Sequence, residues 1–301
     1  MNKQIHLNRF LQSGKAKATL GLLFALAFLL PAWSQEVSPQ GASTANRIPA
    51  EAAAASFNGG QYNEAIAGWT SMINKGDQVK TALLNRAKAY LVIQQPLLAI
   101  EDLNSLEKTA APNEKSTLLV LKAVAFSSLG QKDESLRAFN QAEALDRNPY
   151  VYINRATVYQ DMGDLDSARL DLQKAIAMQP SRANFFNLAV LERRSSNYKA
   201  CNEILTAILK QDNSFAPAYA QRGICLASDG RHLEAIQDLL KAVTLDPVLA
   251  DVYLQLGKSM FALRKADAAK SYFLKAADLY LSQGKTSAYQ AAMKLVSAGS
   301  R

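Results

Sequence analysis

The stretch APAYAQRGICLASDGRHLEAIQDLLKAVTLDPVL, residues 216–249, decides the fold of this chain. It places large apolar, small and turn-forming residues at fixed intervals: Tyr219, Gly223, Leu226, Gly230, Ala235, Leu239, Ala242 and Pro247. The next stretch starts at Ala250 and repeats most of them: Tyr253, Gly257, Met260, Ala269, Phe273 and Ala276. Apolar residues three or four apart indicate amphipathic helices, and a mid-stretch glycine suits the end of the first helix. Each stretch therefore predicts two helices joined by a tight turn.

The same pattern recurs seven times between Asn46 and Gln283. The seven repeats start at Asn46, Lys80, Ser116, Pro149, Arg182, Ala216 and Ala250. The repeat from Arg182 is weaker, and the one from Asn46 keeps Gly60 and Trp69 but has a degraded first helix. One hairpin cannot bury its apolar face alone, so neighbouring repeats must stack to form a continuous core.

These residues resemble the tetratricopeptide repeat, a helix–turn–helix unit of about 34 residues. The resemblance implies an all-α fold, a right-handed α-solenoid of about seven helix hairpins over residues 46–283 with a concave groove. Residues 284–301 are predicted to form a capping helix and tail, because Thr286 to Ala298 carries a further helical pattern.

The first 34 residues have a different character. An apolar run from Ala18 to Leu30 follows a basic start and precedes Ala32-Trp33-Ser34, which predicts an export signal cleaved after Ser34. The alternative is an uncleaved N-terminal membrane anchor, although the 16 residues from Ala18 to Trp33 span only about 24 Å of a hydrocarbon core of about 30 Å. Both interpretations predict export across the inner or thylakoid membrane, into the periplasm or lumen. Residues 35–45 are small and polar and predict a flexible linker.

Charge and composition exclude several classes of function. The chain has 34 Lys and Arg against 26 Asp and Glu. The leader holds four of the basic residues and no acidic one, so the remainder has 30 Lys and Arg against 26 Asp and Glu. This mild excess, without a basic run or a known motif, predicts no nucleic-acid partner. The two histidines are His6 and His232, and no nucleophile–base pair or cofactor motif is visible. We therefore predict no enzyme, no catalytic residue, no cofactor and no metal site.

Two groups of residues allow a second interpretation. Cys201 and Cys225 fall where small buried residues belong, but an exported protein could also join them in a disulfide. Acidic residues surround one predicted turn and could hold a divalent cation, although helix capping is the simpler role. They are Asp161, Asp164, Asp166 and Asp171.

The resemblance also implies which residues line the groove, namely the second, fifth, sixth, ninth, twelfth and thirteenth of each first helix. The fifth residues are apolar, and the sixth are amides in five of six repeats. An apolar stripe beside amides suits an extended polypeptide, because each amide offers a donor and an acceptor to peptide backbone. The alternative is that the sixth residue serves local helix packing. The predicted groove residues are Leu84, Asn85, Lys88, Val120, Val124, Ile153, Asn154, Phe186, Asn187, Val190, Gln221, Ile224, Leu254, Gln255 and Lys258.

The repeats that clamp the acidic C-terminus of cytosolic heat-shock chaperones need lysines and an arginine around a central asparagine. Around Asn154 the matching residues include Val120 and Ala183, and around Asn85 they include Ala50 and Leu121. Neither set carries the required cations, so this clamp is not predicted.

Together these features predict a scaffold or adaptor that binds an extended segment or helix of another protein. The style of the repeats resembles that of cyanobacterial proteins, which implies assistance in assembling an envelope or thylakoid membrane complex. Two alternatives remain open at this point: a periplasmic metal or small-ligand carrier, and a self-assembling structural scaffold.

Overall fold

The computed structural model describes residues 44–298, which contain fifteen helices and no strands. The helices are α1 (Thr44–Asn58), α2 (Tyr62–Lys75), α3 (Val79–Val92), α4 (Pro96–Glu107), α5 (Pro112–Ser128), α6 (Lys132–Leu145), α7 (Pro149–Met162), α8 (Leu165–Met178), α9 (Arg182–Arg194), α10 (Tyr198–Gln211), α11 (Ala216–Ser228), α12 (His232–Leu245), α13 (Ala250–Ala262), α14 (Ala266–Ser282) and α15 (Thr286–Ala298).

Consecutive helices pair as seven hairpins, α1 with α2 through α13 with α14. Helix α15 packs on α14, where Ala292 is fully buried beside Ala277 and Tyr280. The predicted all-α array of hairpins with a C-terminal capping helix is confirmed.

The first hairpin differs from its prediction. Helix α1 is 15 residues long and begins at Thr44, so the last two residues of the predicted linker are helical. Its sequence predicted only a degraded first helix from Asn46, because it lacks most of the large apolar residues of the other repeats. Alanines at 52–55 favour helix strongly, and buried Ala53 packs in a cluster with Trp69 of α2.

The turn inside each hairpin needs one residue in the left-handed backbone region. Gly163 supplies it between α7 and α8 with a φ of 82°, and its amide donates to the carbonyl of Gln160. Other hairpins place a side chain there, as Ser196 does with a φ of 58°. This explains why glycine marks only some of the repeats.

The described residues fall into an N-terminal half, residues 44–179, and a C-terminal half, residues 180–298. In the N-terminal half Leu103, Leu121 and Phe139 are fully buried in one cluster. In the C-terminal half Leu239 and Leu256 are fully buried in another. Each half therefore has an apolar core built from large residues that recur along its repeats.

Gly257, the eighth residue of the last repeat, is required by helix contact. A Cβ added at Gly257 would lie 2.4 Å from two ring atoms of Phe273, which is 3% exposed. We expect Gly257→Ala to lower the free energy of unfolding by about 2 kcal/mol despite the better helix propensity of alanine. Urea unfolding followed by circular dichroism measures this loss.

A double-mutant cycle with Phe273→Ala tests the cause of that loss. An alanine removes the ring and with it the overlap, so Gly257→Ala should then be neutral or stabilising. An undiminished loss in the Phe273→Ala background would contradict the steric explanation.

Candidate functional site

The first helices of consecutive hairpins lie against one another within each half. In the N-terminal half α3 contacts α5 and α5 contacts α7; in the C-terminal half α9 contacts α11 and α11 contacts α13. The predicted groove residues of successive repeats are therefore brought onto adjacent helices within each half.

In the N-terminal half, four of the predicted groove residues lie beneath the surface. Val120 and Val124 are each 2% exposed, and Ile153 and Asn154 are buried as well. The side-chain amide of Asn154 donates to the carbonyl of Tyr150 at 2.8 Å. This bond fits the alternative interpretation, in which the sixth residue of a repeat serves local helix packing. Buried side chains cannot contact a ligand on the surface, so these four support the face rather than form it.

The remaining predicted groove residues are accessible. Leu84, Asn85 and Lys88 are partly exposed in the N-terminal half. In the C-terminal half Lys258 is exposed and the others are partly exposed: Phe186, Asn187, Val190, Gln221, Ile224, Leu254 and Gln255. The C-terminal half therefore offers the more continuous set of accessible apolar, amide and basic side chains.

Two of these accessible residues have distinctive surroundings. Phe186 meets Phe215 edge-to-face with ring centroids 5.6 Å apart, which fixes its ring against the start of α11. The Oε1 atom of Gln221 is buried and has no hydrogen-bond partner among the described residues. A buried acceptor without a donor is unfavourable, and Gln221 is partly exposed, so a rotation of its side-chain amide would bring this acceptor to a donor from outside.

A set of ion pairs inside the hairpins was not predicted from the sequence. Three arginines of first helices each make two hydrogen bonds of 2.7–2.9 Å to an aspartate 16 residues later, on the second helix. The pairs are Arg86–Asp102, Arg155–Asp171 and Arg222–Asp238.

Each of these arginines also reaches back to the preceding hairpin. Arg86 donates to the hydroxyl of Thr70, and Arg222 donates to the hydroxyl of Thr206. One guanidinium thus connects three helices and fixes the register of one repeat on the next. The sequence signal is an Arg and an Asp 16 residues apart in alternate repeats, those from Lys80, Pro149 and Ala216.

The Arg155 site is the most buried of the three. Arg155 also donates to Asn140 at 2.7 Å and to Glu143 at 2.6 Å, and Glu143 accepts from the hydroxyl of Tyr152 at 3.0 Å. Burial raises the pKa of Glu143, but hydrogen bonds from Arg155 and Tyr152 outweigh it and lower that pKa overall. These groups satisfy one another, which is typical of a structural site rather than a reactive one.

Cys201 and Cys225, whose state the sequence left open, are joined in a disulfide. Their Cα atoms are 6.6 Å apart, and both residues are fully buried. The bond ties α10, the second helix of one repeat, to α11, the first helix of the next.

The acidic residues around the α7–α8 turn have structural partners. Asp164 caps α8 by accepting from the backbone N–H of Ser167 at 3.1 Å, and Asp166 pairs with Arg169. Asp171 is held by Arg155. Within residues 44–298 no three His, Cys, Asp or Glu side chains are grouped so that they could hold a metal ion.

His232 is the first residue of α12, and its Nδ1 is buried without a hydrogen-bond partner among the described residues. None of the helices in the described range is both long and apolar enough to span a membrane. The predicted leader, residues 1–34, lies outside that range.

Comparison with known proteins finds a family model that matches four of the seven hairpins. The tetratricopeptide repeat model matches residues 116–149, 149–182, 216–248 and 250–283, in register with the repeats deduced above. A tetratricopeptide repeat protein from Parabacteroides merdae is 17% identical, covers 86% of this chain and 100% of its own, and has a TM-score of 0.63.

Two further solved structures have the same kind of fold. PilW, a type IV pilus biogenesis factor, is 19% identical over 72% of this chain and 99% of its own, with a TM-score of 0.60. MamA from Desulfovibrio magneticus is 21% identical over 57% of this chain and 99% of its own, with a TM-score of 0.50. At these identities the similarity concerns the fold alone.

Proposed function

Because the chain carries tetratricopeptide repeats, we propose that it is a non-catalytic scaffold that binds another protein on the accessible face of its first helices. The observation that carries this proposal is the juxtaposition of α9, α11 and α13, which lines up accessible amides and apolar side chains in the C-terminal half. Amides can hydrogen-bond to peptide backbone, and half-exposed apolar residues can bury side chains of a partner.

We place this scaffold in an exported compartment, the periplasm or thylakoid lumen, soluble or held by the N-terminal segment. Two features support the placement: the basic and apolar leader in residues 1–34, and the disulfide between Cys201 and Cys225. Disulfides persist mainly in oxidising compartments outside the cytosol. An exported scaffold in such a compartment would assist the assembly of an envelope or membrane complex.

Site-specific photo-crosslinking in the source cells tests this function. In one pair of variants, benzoylphenylalanine replaces Asn85 or Gln255 on the first helices. In a control pair it replaces Asn104 or Lys210 on the second helices, and both of these native side chains are exposed. We expect the first-helix probes in the full-length chain to crosslink to the same partner protein, and the second-helix probes to give no such product.

Crosslinks formed only from Asn104 or Lys210 would contradict the proposed face. Crosslinks that join only two copies of this chain would instead favour the self-assembling scaffold.

A further inference from the structure

The two halves of the chain differ in charge. Residues 180–298 contain 15 Lys and Arg against 10 Asp and Glu, a net charge of +5, whereas residues 44–179 contain 14 against 15. A field of one sign attracts a partner of the opposite sign and speeds its association. The C-terminal half is therefore the basic part of the predicted exported chain.

Arg193 brings this charge to the accessible face of the C-terminal half. On α9 it follows Phe186 and Val190 at intervals of four and three residues, so the three share one helix face. Its Nε is buried and has no hydrogen-bond partner among the described residues. A buried N–H group without an acceptor is unfavourable, so an acceptor supplied by a partner would stabilise this guanidinium.

The electrostatics of Arg193 favour an added anion. Burial, and next the neighbouring positive charge of Arg194, lower the pKa of Arg193. A carboxylate beside the guanidinium would offset both effects, because it supplies hydrogen-bond acceptors and an opposite charge.

Acidic side chains of the protein do not fill this role on the same helices. Helix α9 contains one, Glu192, which is 4% exposed and accepts from the side-chain amide of Asn197 at 2.9 Å. Helix α11 contains none, and the only one on α13 is Asp251, which accepts from the hydroxyl of Tyr280. Lys258, the basic residue of α13, is exposed.

A second unmatched group lies on the adjacent helix. Gln221 of α11 has a buried Oε1 that needs a donor. A backbone N–H of an extended chain is such a donor, whereas a free carboxylate or phosphate is not. Both residues are partly exposed, so rotations of their side chains would present these two atoms, a donor on Arg193 and an acceptor on Gln221, to a polypeptide that also carries carboxylates.

We infer that the face formed by α9, α11 and α13 binds an extended acidic segment of the partner protein. Carboxylates of the segment pair with Arg193 and Lys258, and its backbone bonds to Gln221. Its apolar side chains pack on Phe186, Val190 and Leu254. This inference rests on the proposed function and adds the chemical class of the partner.

Selection from a synthetic peptide library tests the inference without knowledge of the partner. The library contains random 12-residue peptides with an amidated C-terminus, so only side-chain carboxylates can serve as anions. It is passed over the immobilised chain without its leader, and retained peptides are sequenced. We expect Asp and Glu to be enriched at least about threefold over the input, and the enrichment to fall as salt rises.

Three variants make the test specific. Arg193→Gln and Lys258→Gln should each reduce the acidic enrichment by half or more while peptides rich in apolar residues are still retained. Lys258 is exposed, so its replacement does not endanger folding. Lys210→Gln, an equal change of charge on the second helix α10, should behave like the wild type.

Retained peptides without acidic enrichment would overturn the inference and leave the proposed function standing. Enrichment that falls equally in Lys210→Gln would also overturn it, because net charge alone would then be responsible. Retention of no peptide by any variant would count against both this inference and the proposed function.

Discussion

Replacement of Cys201 and Cys225 by alanine is expected to lower the free energy of unfolding of the C-terminal half by about 3.5 kcal/mol. The disulfide closes a loop of 24 residues that contains most of α10, the connecting turn and most of α11. In the chain-entropy view, loss of this closure gives the unfolded chain more conformations while the folded state is little changed. Urea unfolding measures the loss, and hydrogen exchange should show it first in α10 and α11.

A reductant provides the matched control. Because both sulfurs are fully buried, the bond is reduced under denaturing conditions before refolding. The reduced wild type should then be about as unstable as the double variant, which should not respond to the reductant. Each single variant should also lose as much as the double variant, because either change removes the bond. Additive single losses and no response to reductant would show that the cysteines act as packing residues.

The order of the helices was predictable because it depends on short-range pattern. Apolar residues three or four apart and recurring small residues place the helices of most repeats, and Thr286–Ala298 forms the capping helix as expected. Helix α1 is longer than the degraded helix predicted from Asn46, because a run of alanines favours helix with few large apolar residues.

The candidate face was harder to predict, because burial depends on neighbours distant in sequence. Asn154 and Asn187 occupy the same place in consecutive repeats, yet Asn154 is 3% exposed and Asn187 is partly exposed. Periodicity assigns a helix face, but it does not give the depth of packing around each side chain. The unmatched Nε of Arg193 could likewise be found only once its surroundings were known.

Arg155→Met is expected to lower the free energy of unfolding of the N-terminal half by about 3–5 kcal/mol. The change removes both hydrogen bonds to Asp171, a residue that is 3% exposed. The nearest remaining cation is Lys174, whose Nζ lies 3.9 Å from Asp171. An uncompensated buried carboxylate is costly, because it has lost both water and its partner. Urea unfolding monitored by circular dichroism measures this effect.

The double variant Arg155→Met with Asp171→Leu separates charge from packing. If the unpaired carboxylate causes the loss, removing it should recover most of the stability, since a buried ion pair and an apolar pair of similar volume are often equivalent. Arg137→Met, which breaks the exposed pair with Glu134, should change stability by less than about 1 kcal/mol. A double variant no more stable than Arg155→Met would instead assign the loss to the other contacts of Arg155, with Asn140, Glu143 and the ring of Tyr152. The link between hairpins would then depend on the arginine itself rather than on neutralising Asp171.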